Sequence, residues 1–377
     1  MKRPPSLALR VSFLKGLPIV EDNRIRVLIV DDSVVARLTL QQVIREDPLL
    51  EIVGAESSGQ AALDKLDVLR PDVVILDVEM PGMSGVETVA AIRSRAPRLP
   101  VIMFSAHTED GAAVTIEALS RGASDFVMKP SQTASADAAM SLIREQLVTK
   151  IKALGKIRRR PPSMVPQESA ADASSSWKLL PKRPLIEIVC LAASTGGPEA
   201  LELVLTALPA NFPVPIAIVQ HMPPFFTKQL ARRLSEKCAI RVREAQSGEM
   251  LEPGTALIAP GDFHLLVRRR DTRCYAITNT APPENSCRPA ADVLFRSAAE
   301  DFGNQALVVV MTGMGQDGLK GCEAVRKAGG RVVIQDEATS VIWGMAGAVA
   351  RGGFASKELP IDKIAADLVF RVREGRS

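Results

Sequence analysis

The chain has 377 residues, which at roughly 150 residues per domain makes two domains with some connecting sequence. Hydrophobic residues at 46% and charged residues at 24% are ordinary for globular protein and exclude wholesale disorder and fibrous repeats. A count of 47 Lys and Arg against 43 Asp and Glu leaves +4, too weak for a chain built around nucleic acid, and 4% aromatics disfavours base-stacking platforms and carbohydrate sites.

Residues 1–24 read as a loose extension. Lys2 and Arg3 are followed by Pro4 and Pro5, Arg10 and Lys15 interrupt the apolar part, and no small-residue cleavage site follows. No apolar run approaches the ~18 residues of a membrane span. The cysteines Cys190, Cys238, Cys274, Cys287 and Cys322 are odd in number and form no C-x-x-C pair. They predict reduced, mostly buried thiols in a soluble cytoplasmic protein.

From Ile25 the chain alternates short β-branched runs with helical patterns, the mark of βαβ units and a parallel sheet. The runs are Ile25–Val30, Glu51–Ala55, Asp72–Leu76, Pro100–Phe104 and Asp125–Met128, with helical spacing in Gly59–Arg70, Val86–Arg95 and Ala112–Arg121. Together they predict one five-stranded doubly wound domain over 25–150. A last helix ends near Leu154. Residues 151–184 read as a linker, since Arg158-Arg159-Arg160, Pro161-Pro162 and an Ala/Ser-rich stretch cannot bury a core.

The β-branched pattern resumes over Ile186–Ala192, Ile216–Gln220, Ala306–Met311 and Arg331–Ile334, separated by helical stretches of which Pro198–Ala207 is the clearest. These runs predict a second α/β domain over 185–372. A Pro/Gly-rich region at roughly 240–285 is expected to form a small hairpin insertion.

In an open parallel sheet, ligands bind beyond the carboxyl ends of the strands. In the first domain those ends carry Asp31-Asp32, Asp77, Ser105 and Lys129-Pro130. Three converging carboxylates would repel one another and suit an oxygen-seeking divalent cation such as Mg²⁺. A nearby hydroxyl and ammonium can bind phosphoryl oxygens, which makes Asp77 a candidate nucleophile forming an aspartyl phosphate. "VLIVDDS", "ILDVEMPGMSG", "MFSAHT" and "DFVMKP" resemble the receiver domain of two-component response regulators. The resemblance implies phosphorylation of Asp77 by a histidine kinase. It also implies Mg²⁺ held by Asp32, Asp77 and the Glu79 backbone carbonyl, with Asp31 acting through water. Ser105 and Lys129 would bind the phosphoryl oxygens, and Phe126 would occupy the aromatic switch position.

In the second domain the first strand runs into Ala193-Ser194-Thr195-Gly196-Gly197-Pro198. A serine at this strand-to-helix turn can act as a nucleophile beside the amides of a helix start. A phosphate-cradling loop fits the Ser-x-Gly-Gly pattern equally well. The next strand ends in His221, placed to take the serine proton, and the strand Ala306–Met311 leads into Thr312-Gly313-Met314-Gly315-Gln316-Asp317-Gly318. Asp317 is the only acid in that loop and can orient the imidazole. His107 and His264 are expected in loops, contributing surface polarity alone.

The order Ser194, His221, Asp317, with Ala192 in place of the first glycine of G-x-S-x-G, argues against the common α/β-hydrolase fold. "ASTGGPEAL", "VQHMPPFFT", "PGTALIAPGDFHLLV", "RPAADVLFRSAA" and "MTGMGQDGLKG" resemble the catalytic domain of chemotaxis-type protein-glutamate methylesterases, commonly called CheB. That resemblance implies Ser194 as nucleophile, His221 as base, Asp317 as orienter, and Thr195 and Met314 lining the oxyanion region. It further implies hydrolysis of glutamate γ-methyl esters on methyl-accepting chemoreceptors, deamidation of receptor glutamines, and no cofactor for the ester chemistry. No nucleic-acid partner and no membrane insertion are expected. An open cleft that admits a bulky receptor is easy to cover, so the unphosphorylated receiver is expected to shield Ser194.

Overall fold

The computed structural model describes residues 23–130, 140–158 apart from 142, 184–374 and 376. Residues 1–22 of the expected extension and residues 159–183 of the expected linker lie outside the described residues.

The first domain is a five-stranded parallel sheet built from β1 (Ile25–Val30), β2 (Leu50–Glu56), β3 (Val73–Asp77), β4 (Val101–Ser105) and β5 (Asp125–Met128). The strand order is β2-β1-β3-β4-β5. Strands β3 and β4 are buried at every residue, because helices cover both faces of a parallel sheet. Ser33 caps the helix Val34–Arg45 through its hydroxyl, which accepts from the Ala36 amide, so the two aspartates before it are free for other work.

The last helix of this domain is a π-helical turn, Arg144–Val148, continued by the α-helix Thr149–Arg158. It runs past Leu154, where the sequence pattern placed its end. Ile151 and Leu154 are buried against Ile25, Val27 and Ile44. A boundary at residue 150 therefore cuts through a packed helix, and residues 151–154 belong to the receiver core rather than to a linker.

The second domain holds a seven-stranded parallel sheet of β6 (Ile188–Ala193), β7 (Ile216–Gln220), β8 (Arg241–Glu244), β9 (Thr255–Ile258), β12 (Ala306–Val310), β13 (Arg331–Gln335) and β14 (Lys357–Leu359). Its order is β14-β13-β12-β6-β7-β9-β8. The expected hairpin is present as β10 (His264–Arg270) paired antiparallel with β11 (Arg273–Asn279). The first half of the 240–285 region is not part of that insertion, however, because β8 and β9 extend the main sheet from β7. Both strands have only four residues, and β9 lies between Pro253-Gly254 and Pro260-Gly261, which hid their pattern.

Chain direction across this sheet reverses beside β6: β7 lies on one side and β12 on the other. Such a switch point opens a crevice at the carboxyl ends of the strands. The two domains also share apolar packing. Phe126 stacks on Phe226 with ring centroids 4.4 Å apart and planes 6° apart, and Met314, Val341 and Ile342 pack against the receiver cluster that contains Phe104.

Candidate active site and phosphoacceptor site

Strand register brings the three triad candidates together. Ala193 on β6 pairs with Gln220 on β7, so Ser194 and His221 are the next residues on adjacent strands, about 5 Å apart in the backbone. On the other side of β6, Val310 of β12 pairs with Ala192, and the Ser194 amide donates to the Thr312 carbonyl at 3.0 Å. The loop after β12 then carries Asp317 to the imidazole, with His221 Nε2 and Asp317 Oδ2 at 2.8 Å. The Ser194 hydroxyl makes no hydrogen bond to the imidazole among the described residues. Nucleophile–base bonds of this kind commonly tighten only when substrate is bound.

The turn around Ser194 depends on its two glycines. Gly196 has φ +77°, and a Cβ there would meet Val341 at 2.6 Å. At Gly197 a Cβ would come within 1.9 Å of Gln220 Oε1. Gln220, 1% exposed, donates from Nε2 to the Ser194 carbonyl at 2.9 Å, and the Gly197 amide donates to the same carbonyl at 2.8 Å. The Ser194 backbone is thus pinned from β6, β7 and β12, at the start of the helix Gly197–Thr206.

Asp317 is 2% exposed and accepts five hydrogen bonds. Oδ2 takes His221 and the Ala291 amide at 2.6 Å; Oδ1 takes the amides of Asp292 and Gly318 at 3.1 and 3.0 Å and the Asn285 side chain at 2.9 Å. Ala291 and Asp292 open the helix Ala291–Phe302, whose positive end suits a carboxylate. Burial alone would raise the Asp317 pKa, but His221 and these amides outweigh it and hold the carboxyl below its ordinary value. Burial likewise opposes a charged His221, yet the contacts with Asp317 and the Cys287 thiol hold its pKa above the usual histidine value. With Nε2 directed at Asp317, Nδ1 is the nitrogen left to accept a proton.

The remaining expected residues of this site face the receiver. Thr195 is 3% exposed; its hydroxyl donates to Asp125 Oδ2 of the receiver, and its carbonyl accepts from the Thr312 hydroxyl at 2.9 Å. Met314 is half-buried against the receiver cluster. The Gly196 amide donates to the receiver's Ser124 carbonyl at 3.2 Å, and Lys228 pairs with Glu109 at 2.8 Å.

His264 departs from expectation. It is fully buried at the start of β10, with Nε2 donating to the Pro282 carbonyl at 3.0 Å and Nδ1 accepting from the Ala290 amide at 3.2 Å. It braces the segment that delivers Asn285 and Ala291 to Asp317, a role that a lone histidine in a variable stretch does not advertise. His107 is exposed and meets Phe225 of the other domain edge-on, with centroids 6.0 Å apart.

In the receiver, carboxylate oxygens of Asp31, Asp32 and Asp77 lie within 4.8 Å of one another. Lys129 Nζ sits 2.7 Å from Asp77 Oδ1 and 3.5 Å from Asp31 Oδ2. Burial and the charge of Asp31 push the Asp77 pKa up to about 6, against the pull of Lys129. Asp31 Oδ2 is buried without a hydrogen-bond partner, a donor set that fits a hard divalent cation. Glu79 is exposed, and its amide lies 3.4 Å from Asp77 Oδ1. Ser105 is fully buried and turned toward the following helix, donating to the Ala106 and Gly111 carbonyls and accepting from Thr115 at 2.6 Å. Phe126 is turned into the domain interface.

Residues 189–368 match the CheB methylesterase family and residues 27–140 match the response regulator receiver domain. A protein of Trichodesmium erythraeum named protein-glutamate methylesterase/protein-glutamine glutaminase is 46% identical over 351 residues, covering 93% of this chain and 99% of that protein. The chain belongs to the CheB family of protein-glutamate methylesterases. A protein of Nocardioides sp. bearing the same name is 45% identical over 354 residues, covering 93% of this chain and 96% of that protein. The crystal structure of the Thermotoga maritima CheB methylesterase catalytic domain aligns at 42% identity and a TM-score of 0.48, covering 49% of this chain and 98% of that one. The family resemblance and the two-domain α/β architecture expected from the sequence are both borne out. Three residues that sequence reasoning passed over contact the candidate site residues: Gln220 on Ser194, Asn285 on Asp317, and Asp125 on Thr195. Only the side chain of Gln220 carried a local signal, as the residue directly before His221.

Proposed function

We propose that this chain is a phosphorylation-controlled protein-glutamate methylesterase and protein-glutamine glutaminase acting on methyl-accepting chemoreceptors. The observation that carries the reading is the hydrogen-bonded His221–Asp317 pair standing one strand away from Ser194 at the switch point of the sheet. In the ester reaction, His221 Nδ1 takes the Ser194 proton as Oγ attacks the γ-carbonyl. The same proton goes to the leaving methoxide, so methanol departs and an acyl-enzyme remains. Water, deprotonated by His221, then releases the glutamate carboxylate and regenerates the serine. With a glutamine side chain, ammonia leaves in place of methanol. Asp317 stays ionised throughout and stabilises the imidazolium. Thr195 and Met314 line the side of the cleft where the carbonyl oxygen gathers charge.

Asp77 is the proposed phosphoacceptor, supplied by a chemotaxis histidine kinase. Asp31, Asp32, Asp77 and the Glu79 carbonyl would hold Mg²⁺, which neutralises charge on the phosphoryl oxygens. Lys129 would hold one of those oxygens, and Ser105 would turn from the Gly111 carbonyl to hold another. Phe126, freed from Phe226, would loosen the receiver from the cleft. Thr195, Gly196 and Met314 all contact the receiver, which supports shielding of the unphosphorylated site. The five free thiols suit a cytoplasmic location. No described helix is long and apolar enough to cross a membrane.

The test is methanol release from purified methylated receptors by the full chain, with and without a small acyl phosphate and Mg²⁺. Release that rises with the phosphodonor supports the reading; no release under either condition rejects it.

A further inference from the structure

Between β11 and the helix Ala291–Phe302 the chain makes a tight turn at Glu284–Cys287. The Glu284 amide donates to the Cys287 carbonyl at 3.1 Å and the Cys287 amide returns to the Glu284 carbonyl at 2.8 Å. The two central residues, Asn285 and Ser286, have φ of +52° and +61°, the left-handed backbone of a two-residue hairpin turn. Glycine satisfies that backbone as well as asparagine does, so the turn by itself does not call for an amide at 285.

The amide is nevertheless used in full. Although Asn285 lies at the surface, its Nδ2 reaches inward and donates to Asp317 Oδ1 at 2.9 Å and to Asp292 Oδ2 at 3.0 Å. Asp292 is 1% exposed, and its other oxygen takes the Gly321 amide at 2.6 Å. Two buried carboxylates therefore face one another across a single neutral donor. Burial, with the neighbouring charge of Asp317, raises the pKa of Asp292, whereas Asp317 stays low. The other titratable or charged groups around the pair are His221, Cys287, Cys322, Arg296 and its partner Glu284.

We propose that Asn285 is a positioning residue of the esterase reaction, its amide bridging Asp317 and Asp292 so that Asp317 stays charged and aimed at His221. The proposal rests on the reading of Ser194, His221 and Asp317 as the reacting set. A water molecule in place of the amide could donate to either carboxylate, but nothing would fix its two hydrogens on both. Loss of the bridge leaves Asp317 on its three backbone amides but sets it against Asp292 with no donor between them, so the two carboxylates share a proton and Asp317 loses charge. That weakens the imidazolium in the transition state while leaving receptor docking intact.

The test is methanol-release kinetics of full-length Asn285→Gly, which preserves the turn, with Ser286→Gly as a control in the same turn. The expected result is a fall in kcat of about ten-fold with KM changed less than about two-fold, and Ser286→Gly close to wild type. A kcat for Asn285→Gly within about two-fold of wild type overturns the proposal. Should that variant also lose thermal stability, Asn285→Asp decides. An added carboxylate beside Asp317 moves the acid limb of kcat/KM to higher pH, and an unmoved limb overturns the proposal. Ser194→Ala and Asp317→Ala run alongside. If they retain methanol release, the triad itself is misassigned; if they abolish it while Asn285→Gly does not, only the role of Asn285 fails.

Discussion

Asp125→Ala offers a direct probe of how the receiver is held over the cleft. Asp125 is 7% exposed; Oδ2 accepts from Thr195, beside the nucleophile, while Oδ1 takes Lys150 Nζ at 2.8 Å and the Phe126 amide at 2.7 Å. Lys150 keeps a second partner in the Phe126 carbonyl at 2.7 Å, so removing the carboxylate does not strand its ammonium. What is lost across the interface is a buried hydrogen bond to a charged group, worth about 1.5–3 kcal/mol. At ~1.4 kcal/mol per factor of ten, the closed arrangement weakens by about 10- to 100-fold relative to the open one. Methanol release without phosphodonor should rise by that factor, capped at the rate of the phosphorylated wild type, and stimulation by phosphodonor should shrink in proportion. Lys228→Ala breaks only an exposed pair with Glu109, worth less than about 1 kcal/mol, and should raise the basal rate by less than about five-fold. Basal release by Asp125→Ala equal to wild type, with full stimulation retained, would refute the idea that this contact helps to close the site.

The pH profile carries two further expectations. His221 must be neutral to accept the serine proton, and its contacts hold its pKa above the ordinary value, so the acid limb of kcat/KM should have its midpoint above about 6.5. Cys287→Ala should lower that midpoint, and a limb that sits at an ordinary histidine value in both proteins contradicts the assignment. In the receiver, the Asp77 carboxyl pushed up to about 6 becomes protonated as pH falls through that value. Bound Mg²⁺ favours the ionised carboxylate, so the pH at which phosphodonor stimulation fades should fall as Mg²⁺ is raised, while basal release follows the His221 limb alone, as measured by paired rate profiles with and without acyl phosphate. Asp77→Asn should abolish stimulation and keep basal release; stimulation that survives would move the phosphoacceptor elsewhere.

Much of this site could be read from sequence because parallel sheets concentrate their chemistry at one edge. Ser194 and His221 directly follow buried strands, as do Asp31 and Asp32, Asp77 ends one, and Asp317 lies in the short loop after another, so finding the strands located the residues. The groups that support them were hidden for a physical reason. Asn285 reaches Asp317 across 32 residues of chain and Thr195 reaches Asp125 across 70, and no local periodicity encodes such contacts. His264 read as a surface loop residue because its ring is held by the Pro282 carbonyl and the Ala290 amide, 18 and 26 residues away, rather than by any pattern around it. Strands β8 and β9 escaped for a related reason: four residues each, bounded by turns, leave too little pattern to recognise. The helix Thr149–Arg158 outran its expected end since its hydrophobic face, Ile151 and Leu154, continues into a basic stretch that composition alone assigns to a linker.

The measurement that bears most directly on the account compares methanol release from methylated receptors by wild-type protein and by Ser194→Ala, both in the presence of acyl phosphate and Mg²⁺. The account predicts that Ser194→Ala, folded and still able to take phosphate at Asp77, releases no methanol above the rate of receptor alone. Release by that variant at a rate near wild type would mean that another group carries the reaction.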